Sequence, residues 1–260
     1  MLNFEQLKEF LDEKAFQYNK NYFIDSDPIQ IPHQFSTRED IEIMAFLTAT
    51  IAWGKRDLII KSANKIVSLM GNNPNEFVMN FELKKESGYF SNFKHRTFNG
   101  NDLAYFIHSL KLIKEKYGSL EVAFLNGITE NDTSMKNSLG NFHQEFFIDE
   151  HPFSRHSKKH VANPLQGSAA KRLNMFLRWM VRKDEFGVDF GLWESISPSL
   201  LSCPLDVHTG NVGRKLGFIT RNQNDWKTVD ELDNHLRLMD PIDPVKYDFA
   251  LFGLGVFEGF

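Results

Sequence analysis

The chain has 260 residues, 42% hydrophobic and 25% charged, with a net charge of −4, a balance that suits one large globular domain or two small helical lobes. A single cysteine, Cys203, excludes an internal disulfide and a four-cysteine zinc or iron–sulfur site. No apolar run approaches the ~20 residues of a membrane helix, and Met1–Glu5 lacks the basic start and apolar core of a signal peptide, so no membrane contact and a cytoplasmic location are expected.

Apolar residues at Phe4, Leu7, Phe10, Leu11, Ala15 and Tyr18 recur with a helical period from Met1 to about Asn21. Pro28 and Pro32 break the chain into an extended connector. Ser36-Thr37-Arg38-Glu39 has the form of a capping box and opens an apolar helix through Ile51. A second helix is expected from Asp57 to Leu69, stopped by Gly71–Pro74, and others near Pro74–Phe81, Asn101–Lys116 and Leu120–Asn126. Tyr89–Phe98 has room for a short hairpin. A polar loop from Gly127 to Asn137 precedes a short helix around Leu139–Phe147. His151–Gly167 reads as a basic loop, after which Ser168 caps a long helix to about Arg182. Short helices follow at Leu192–Ile196 and at Val207–Leu216, the latter with Asp206 at its N-cap. Thr228-Val229-Asp230-Glu231, another capping box, opens a helix to about Leu238, and Asp243-Pro244 starts the last, from Val245 to about Phe252. The chain reads as all-α, its 25 phenylalanines predicting an aromatic-rich core.

Charge is unevenly spread. From His151 to Lys183 there are eight Lys or Arg and no acid, and Arg214, Lys215 and Arg221 follow in a second acid-free stretch, Val207–Asn224. A basic face can hold phosphates on a mildly acidic protein, because screening confines each charge to about 10 Å; a solvated helix face with counter-charges supplied in three dimensions is the equal alternative. Gly167 and Ser168 at a helix start, beside Lys171 and Arg172, make a candidate phosphate site or an ordinary N-cap. Trp53 is a candidate for stacking on a base, whereas the apolar period around Trp179 favours core packing. The spacing of His151, His156 and His160 suggests metal ligation, but they stand among Lys and Arg with no neighbouring carboxylate, so no metal is expected. Cys203 reads as a small buried side chain. There is no P-loop, dinucleotide fingerprint or nucleophile elbow, and no cofactor is expected.

Pro204-Leu205-Asp206-Val207-His208, followed by a helix bearing Arg214 and Lys215 and ending in Leu216-Gly217, resembles the aspartate-bearing segment of helix-hairpin-helix (HhH-GPD) DNA glycosylases. Ile41–Lys55 and Tyr247–Gly255 resemble two further helices of those enzymes. Across most of its length the chain is identified as a member of an uncharacterised bacterial family, domain of unknown function 2400, through Gly167–Asn174, Phe176–Arg182 and Lys246–Phe252. The glycosylase resemblance implies two helical lobes with a cleft between them, within a single domain over 1–260: residues 36–196 in one lobe, 1–35 with 197–260 in the other. It implies a DNA partner, a DNA-repair-like role and monofunctional N-glycosylase chemistry. Asp206 would stabilise positive charge developing on the sugar or orient the attacking water. His208 stands beside it as a further candidate, and Gly167, Ser168, Lys171, Arg172, Arg178, Arg214 and Lys215 would contact phosphate. One departure matters: where active members carry a Gly-x-Gly hairpin with a lysine, Leu192–Leu201 has neither, so the hairpin is degenerate and a Schiff-base lyase is disfavoured. A non-catalytic nucleic-acid-binding module on the same scaffold, and a hydrolase of a nucleotide-like small molecule, are the competing readings.

Overall fold

Side-chain caps from Asn3, Thr37, Asn99, Ser119, Asp206 and Asp225 set six of the helix starts. The computed structural model describes residues 3–86 and 88–260. Its elements are α1 (Phe4–Tyr18), α2 (Tyr22–Ser26), α3 (Arg38–Ile51), α4 (Arg56–Leu69), α5 (Pro74–Asn80), α6 (Leu83–Glu86), a two-residue hairpin of β1 (Lys94–His95) and β2 (Phe98–Asn99), α7 (Gly100–Tyr117), α8 (Leu120–Leu125), α9 (Lys136–Phe146), α10 (Ser154–Ser157), α11 (Lys171–Val181), α12 (Val207–Lys215), α13 (Trp226–Met239) and α14 (Tyr247–Phe257). Short 3-10 turns occupy the Pro28–Gln30 and Pro32–Gln34 stretch expected to be extended. The protein is all-α with minimal strand content, and among the described residues no helix is long and apolar enough to cross a membrane.

The sequence places several helix starts a few residues off, and at two of them more than one polar side chain competes for the cap. Thr37, not Ser36, caps α3, its hydroxyl accepting the Asp40 N–H at 3.3 Å and donating to the Asp40 carboxylate at 2.6 Å. At α13 the cap is Asp225, which accepts the Thr228 N–H at 3.0 Å, so Thr228 falls inside the first turn. The Ser168 hydroxyl accepts the Ala170 N–H at 3.2 Å, closing a turn before α11 rather than capping it. α11 then begins after Ala170, which holds a left-handed φ of 47° and offers no side-chain cap. No helix forms at Leu192–Ile196, because Phe190 and Trp193 donate their N–H groups to the Trp179 and Met180 carbonyls, holding the segment against the end of α11. The segment from His151 to Gly167 is more ordered than a loop, with α10 and 3-10 turns at Lys158–His160 and Pro164–Gln166.

The chain divides into two compact units: Met1–Asp25, Thr129–Asn137 and Asn163–Phe260 form one, Ser26–Ile128 and Ser138–Ala162 the other. The lobe expected from the sequence over residues 36–196 spans residues of both, since 163–196 belongs to the first unit.

In the second unit α3 is central, with every residue from Ile41 to Ile51 buried, as befits a helix apolar on all faces. Phe46 packs on Phe106 of α7 and on Phe142 and Phe146 of α9, and Phe124 stacks on Phe142 at 4.1 Å. This is the aromatic core that the phenylalanine count predicts. Arg38 binds Glu42 and Glu121, holding α8 to the start of α3. Gly100, the first residue of α7, passes so close to Phe90 that a Cβ there would lie 1.9 Å from its carbonyl oxygen. That contact seats the start of α7 against the chain leading into the hairpin.

In the first unit α1 lies along α14, where Gly253 lets the Tyr18 ring approach to 2.1 Å of a would-be Cβ. Two arginines of the α11 segment sit inside. Arg178 binds Asp189 and Asp248, and Arg182 binds Asp184, Asp189 and Asp243. Cys203 is buried too, its N–H donating to Asp233 at 2.9 Å and its thiol to Asp248 at 3.7 Å. Burial pushes the Asp233 carboxyl up to about 6, against the opposing pull of Arg237 and the Cys203 N–H. Because this folded value lies above the ordinary carboxylate range near 4, the native state holds the proton longer than the unfolded chain. The contribution is therefore full below about pH 4 and is lost as the pH rises through about 6. Asp233→Asn keeps an acceptor for Cys203 and cannot ionise; urea denaturation at pH 4.5 and pH 7 is expected to show the variant losing less stability than wild type between the two.

Candidate functional site

Two places bring together side chains with usable chemistry, one in each unit. In the second unit the cap of α7 builds a buried carboxylate. Asn99 accepts the Asn101 and Asp102 N–H groups, and Asp102 accepts the Asn99 N–H at 2.9 Å in return, a reciprocal capping box. Asp102 is 1% exposed. Its Oδ1 also accepts from His156 Nδ1 at 2.7 Å and the Ser157 hydroxyl at 2.8 Å, while Oδ2 lies 3.7 Å from His160 Nε2. His160 is held between rings, stacked on Trp53 at 5.6 Å and edge-on to Phe98 at 5.0 Å. Trp53 in turn meets His95 edge-on at 5.1 Å, and His95 bonds Ser62 at 2.9 Å. Burial, with the nearby Arg96, lowers the His95 pKa and favours the neutral ring, against the Trp53 carbonyl. The result is a buried Asp/His cluster capable of coordinating a metal or of acid–base work.

The sequence flags His156 and His160 and sets them aside for want of a carboxylate. The fold supplies one from 54 residues upstream. Two signals pointed to it: the Asn99-x-x-Asp102 capping pattern and the four-residue step between the histidines, but nothing in one chain links the two. His151, the third histidine, is not in the cluster; its Nδ1 accepts the Phe153 N–H at 3.2 Å.

In the first unit Asp206 is the N-cap of α12, as expected, accepting the Thr209 N–H through Oδ1 at 3.0 Å. It is half-buried, and among the described residues its Oδ2 has no hydrogen-bond partner. Its charge reaches the buried Asp248 carboxyl, whose pKa is raised first by burial and further by Asp206, with Arg178 and Lys171 opposing. His208 is exposed, with its Cβ against Gly255, and makes no hydrogen bond among the described residues.

The expected phosphate ligands divide. Gly167 takes a left-handed φ of 89° and its carbonyl accepts the Trp226 N–H, while Ser168 bridges to Asp225. Lys171 and Arg172 stand on the first turn of the uncapped α11; burial lowers the Arg172 guanidinium to about 10. Lys215 is exposed, lying over the Phe260 ring. Arg214 instead spends its donors on the Arg221 and Asn222 carbonyls and the Asn224 side chain, closing the loop after α12. Arg178 is in the core, 4% exposed and committed to Asp189 and Asp248, whose charges offset its loss of hydration. Trp179 is fully buried. The long acid-free run is shared between units, Arg155, Lys158 and Lys159 in one and Lys171 to Lys183 in the other.

The chain matches the model of the family described as "Protein of unknown function (DUF2400)" over residues 27–257. It belongs to that family. No curated protein matches it, and no solved structure does.

Arg178→Ala leaves the buried Asp248 without its cation and Asp189 with Arg182 alone, and chemical denaturation is expected to show a loss of about 3–5 kcal/mol. A variant of unchanged stability that instead weakened nucleic-acid binding would return Arg178 to the phosphate ligands.

Proposed function

We propose that the protein is a DNA-repair-like hydrolase of N-glycosidic bonds, built on a degenerate HhH-GPD glycosylase-like scaffold, with Asp206 as its catalytic carboxylate. The observation that carries this reading is the split duty of Asp206. One oxygen caps α12 and fixes the side chain, and the other has no hydrogen-bond partner among the described residues. A carboxylate so held is preorganised to stabilise an oxocarbenium-like sugar or to orient water, and neither task requires it to move.

Support for a nucleic-acid partner comes from the uncapped start of α11, whose N–H groups and helix dipole favour an anion, with Lys171 and Arg172 beside it. Lys215 adds an exposed cation on α12. The departures at the hairpin remove the lysine a lyase would use, which keeps the chemistry to hydrolysis. His208, whose ring makes no hydrogen bond among the described residues, suits a contact to the substrate better than a general base, since a base needs its orientation held.

The test is a panel of duplexes bearing damaged bases, assayed for base release with wild type and Asp206→Asn. Asparagine is as good an N-cap as aspartate, so the variant is expected to fold with unchanged melting. Base release is expected to fall by roughly 10²–10³-fold while binding persists. Salt-sensitive binding with no release from any lesion favours the non-catalytic module, and no binding at low salt ends both nucleic-acid readings.

A further inference from the structure

We infer that Asp102, His156 and His160 form a binding site for one divalent transition-metal ion of the zinc class, independent of any role for Asp206. Three donor atoms, one carboxylate oxygen and two imidazole nitrogens, lie within 4.8 Å of one another. Zinc-class ions take such ligands at about 2.0–2.2 Å, which in a tetrahedron separates the donors by roughly 3.3 Å. The two imidazoles approach different oxygens of the carboxylate, His156 Nδ1 at 2.7 Å from Oδ1 and His160 Nε2 at 3.7 Å from Oδ2, so an ion held through one oxygen needs the first contact to open by about half an ångström and the carboxylate to turn toward the second imidazole. Both shifts are small, and His156 is half-exposed and able to make the first.

Charge argues the same way. Asp102 is buried, yet among the described residues no lysine or arginine pairs with it; its partners are an N–H group, a hydroxyl and two imidazoles. A bound cation supplies the missing charge. The outer contacts are those that orient metal ligands: Ser157 and the Asn99 N–H fix the carboxylate, and Trp53 and Phe98 fix the His160 ring. Two nitrogens and one oxygen suit zinc, cobalt or nickel rather than calcium or magnesium, which prefer oxygen throughout. Three protein ligands leave a position open for water.

Lys159 gives the inference its sharpest consequence. Its ammonium lies 2.9 Å from His156 Nε2 and can only donate, so that nitrogen is the acceptor and Nδ1 carries the proton given to Asp102. A metal at Nδ1 requires the opposite tautomer, with the proton on Nε2. Lys159, which is exposed, must then swing into solvent. The ammonium and the metal compete through one ring.

The experiment titrates Co2+ and Zn2+ into the chelator-treated full chain, reading the visible Co2+ absorption and calorimetric stoichiometry. One equivalent is expected, with affinity lowered more than tenfold in His156→Ala and in His160→Gln, and raised severalfold in Lys159→Met. Circular dichroism of each metal-free variant confirms that it is folded, and His156→Ala, on an exposed side chain, keeps the test valid should His160→Gln unfold. No uptake by wild type, or uptake unchanged in His156→Ala, overturns the site; an affinity not raised in Lys159→Met overturns the competition.

Discussion

The first unit depends on Asp189, a fully buried carboxylate shared by Arg178 and Arg182. Neither guanidinium can be taken from water without compensation, so each gathers further acids: Asp248 for Arg178, and Asp184 with Asp243 for Arg182. Those acids come from the chain after α11, from the turn before α14 and from α14 itself. The network thereby ties three separate stretches of sequence to one helix. Asp248 also accepts from Cys203, and Asp233 takes the Cys203 N–H, so the strand-like segment entering Asp206 is held on both sides. Arg237 secures the same segment through the Ser199 and Leu201 carbonyls. The position of Asp206 follows from charges that never touch it.

The second unit solves the problem of buried charge differently. Its aromatic interior leaves little polar company, and Asp102 is surrounded by neutral donors and imidazoles rather than by arginine. A carboxylate in that setting is stabilised by hydrogen bonds and by the start of α7, where the helix dipole favours negative charge. Among the described residues it has no lysine or arginine partner, unlike Asp248, which pairs with Arg178. Two buried aspartates are therefore held in different company, one by neutral donors and imidazoles and the other by a guanidinium.

Much of this was legible in the chain. The apolar period found α1, α3, α4, α7 and α11, since a helix buries the face its sequence makes apolar. Asp206 was placed at the N-cap of α12 from its residue type and position alone. Boundaries slipped where neighbouring polar residues compete for one cap, as at Ser36 and Thr37, or at Asp225 and Thr228. Leu192–Ile196 reads as a helix from its apolar residues, but backbone hydrogen bonds from Phe190 and Trp193 to the end of α11 hold the segment in an irregular path.

The sequence by itself determined the helical class, the aromatic core and the local caps, because propensity, period and capping act over a few residues. Only the tertiary structure decided what the charges do. It drew Arg178 and Arg182 from an apparently solvated basic run into the interior, and it set Asp102 against His156, 54 positions away, and against His160 beyond it. Such pairings depend on long-range packing, and a buried charge finds its partner in space, where order along the chain carries no signal.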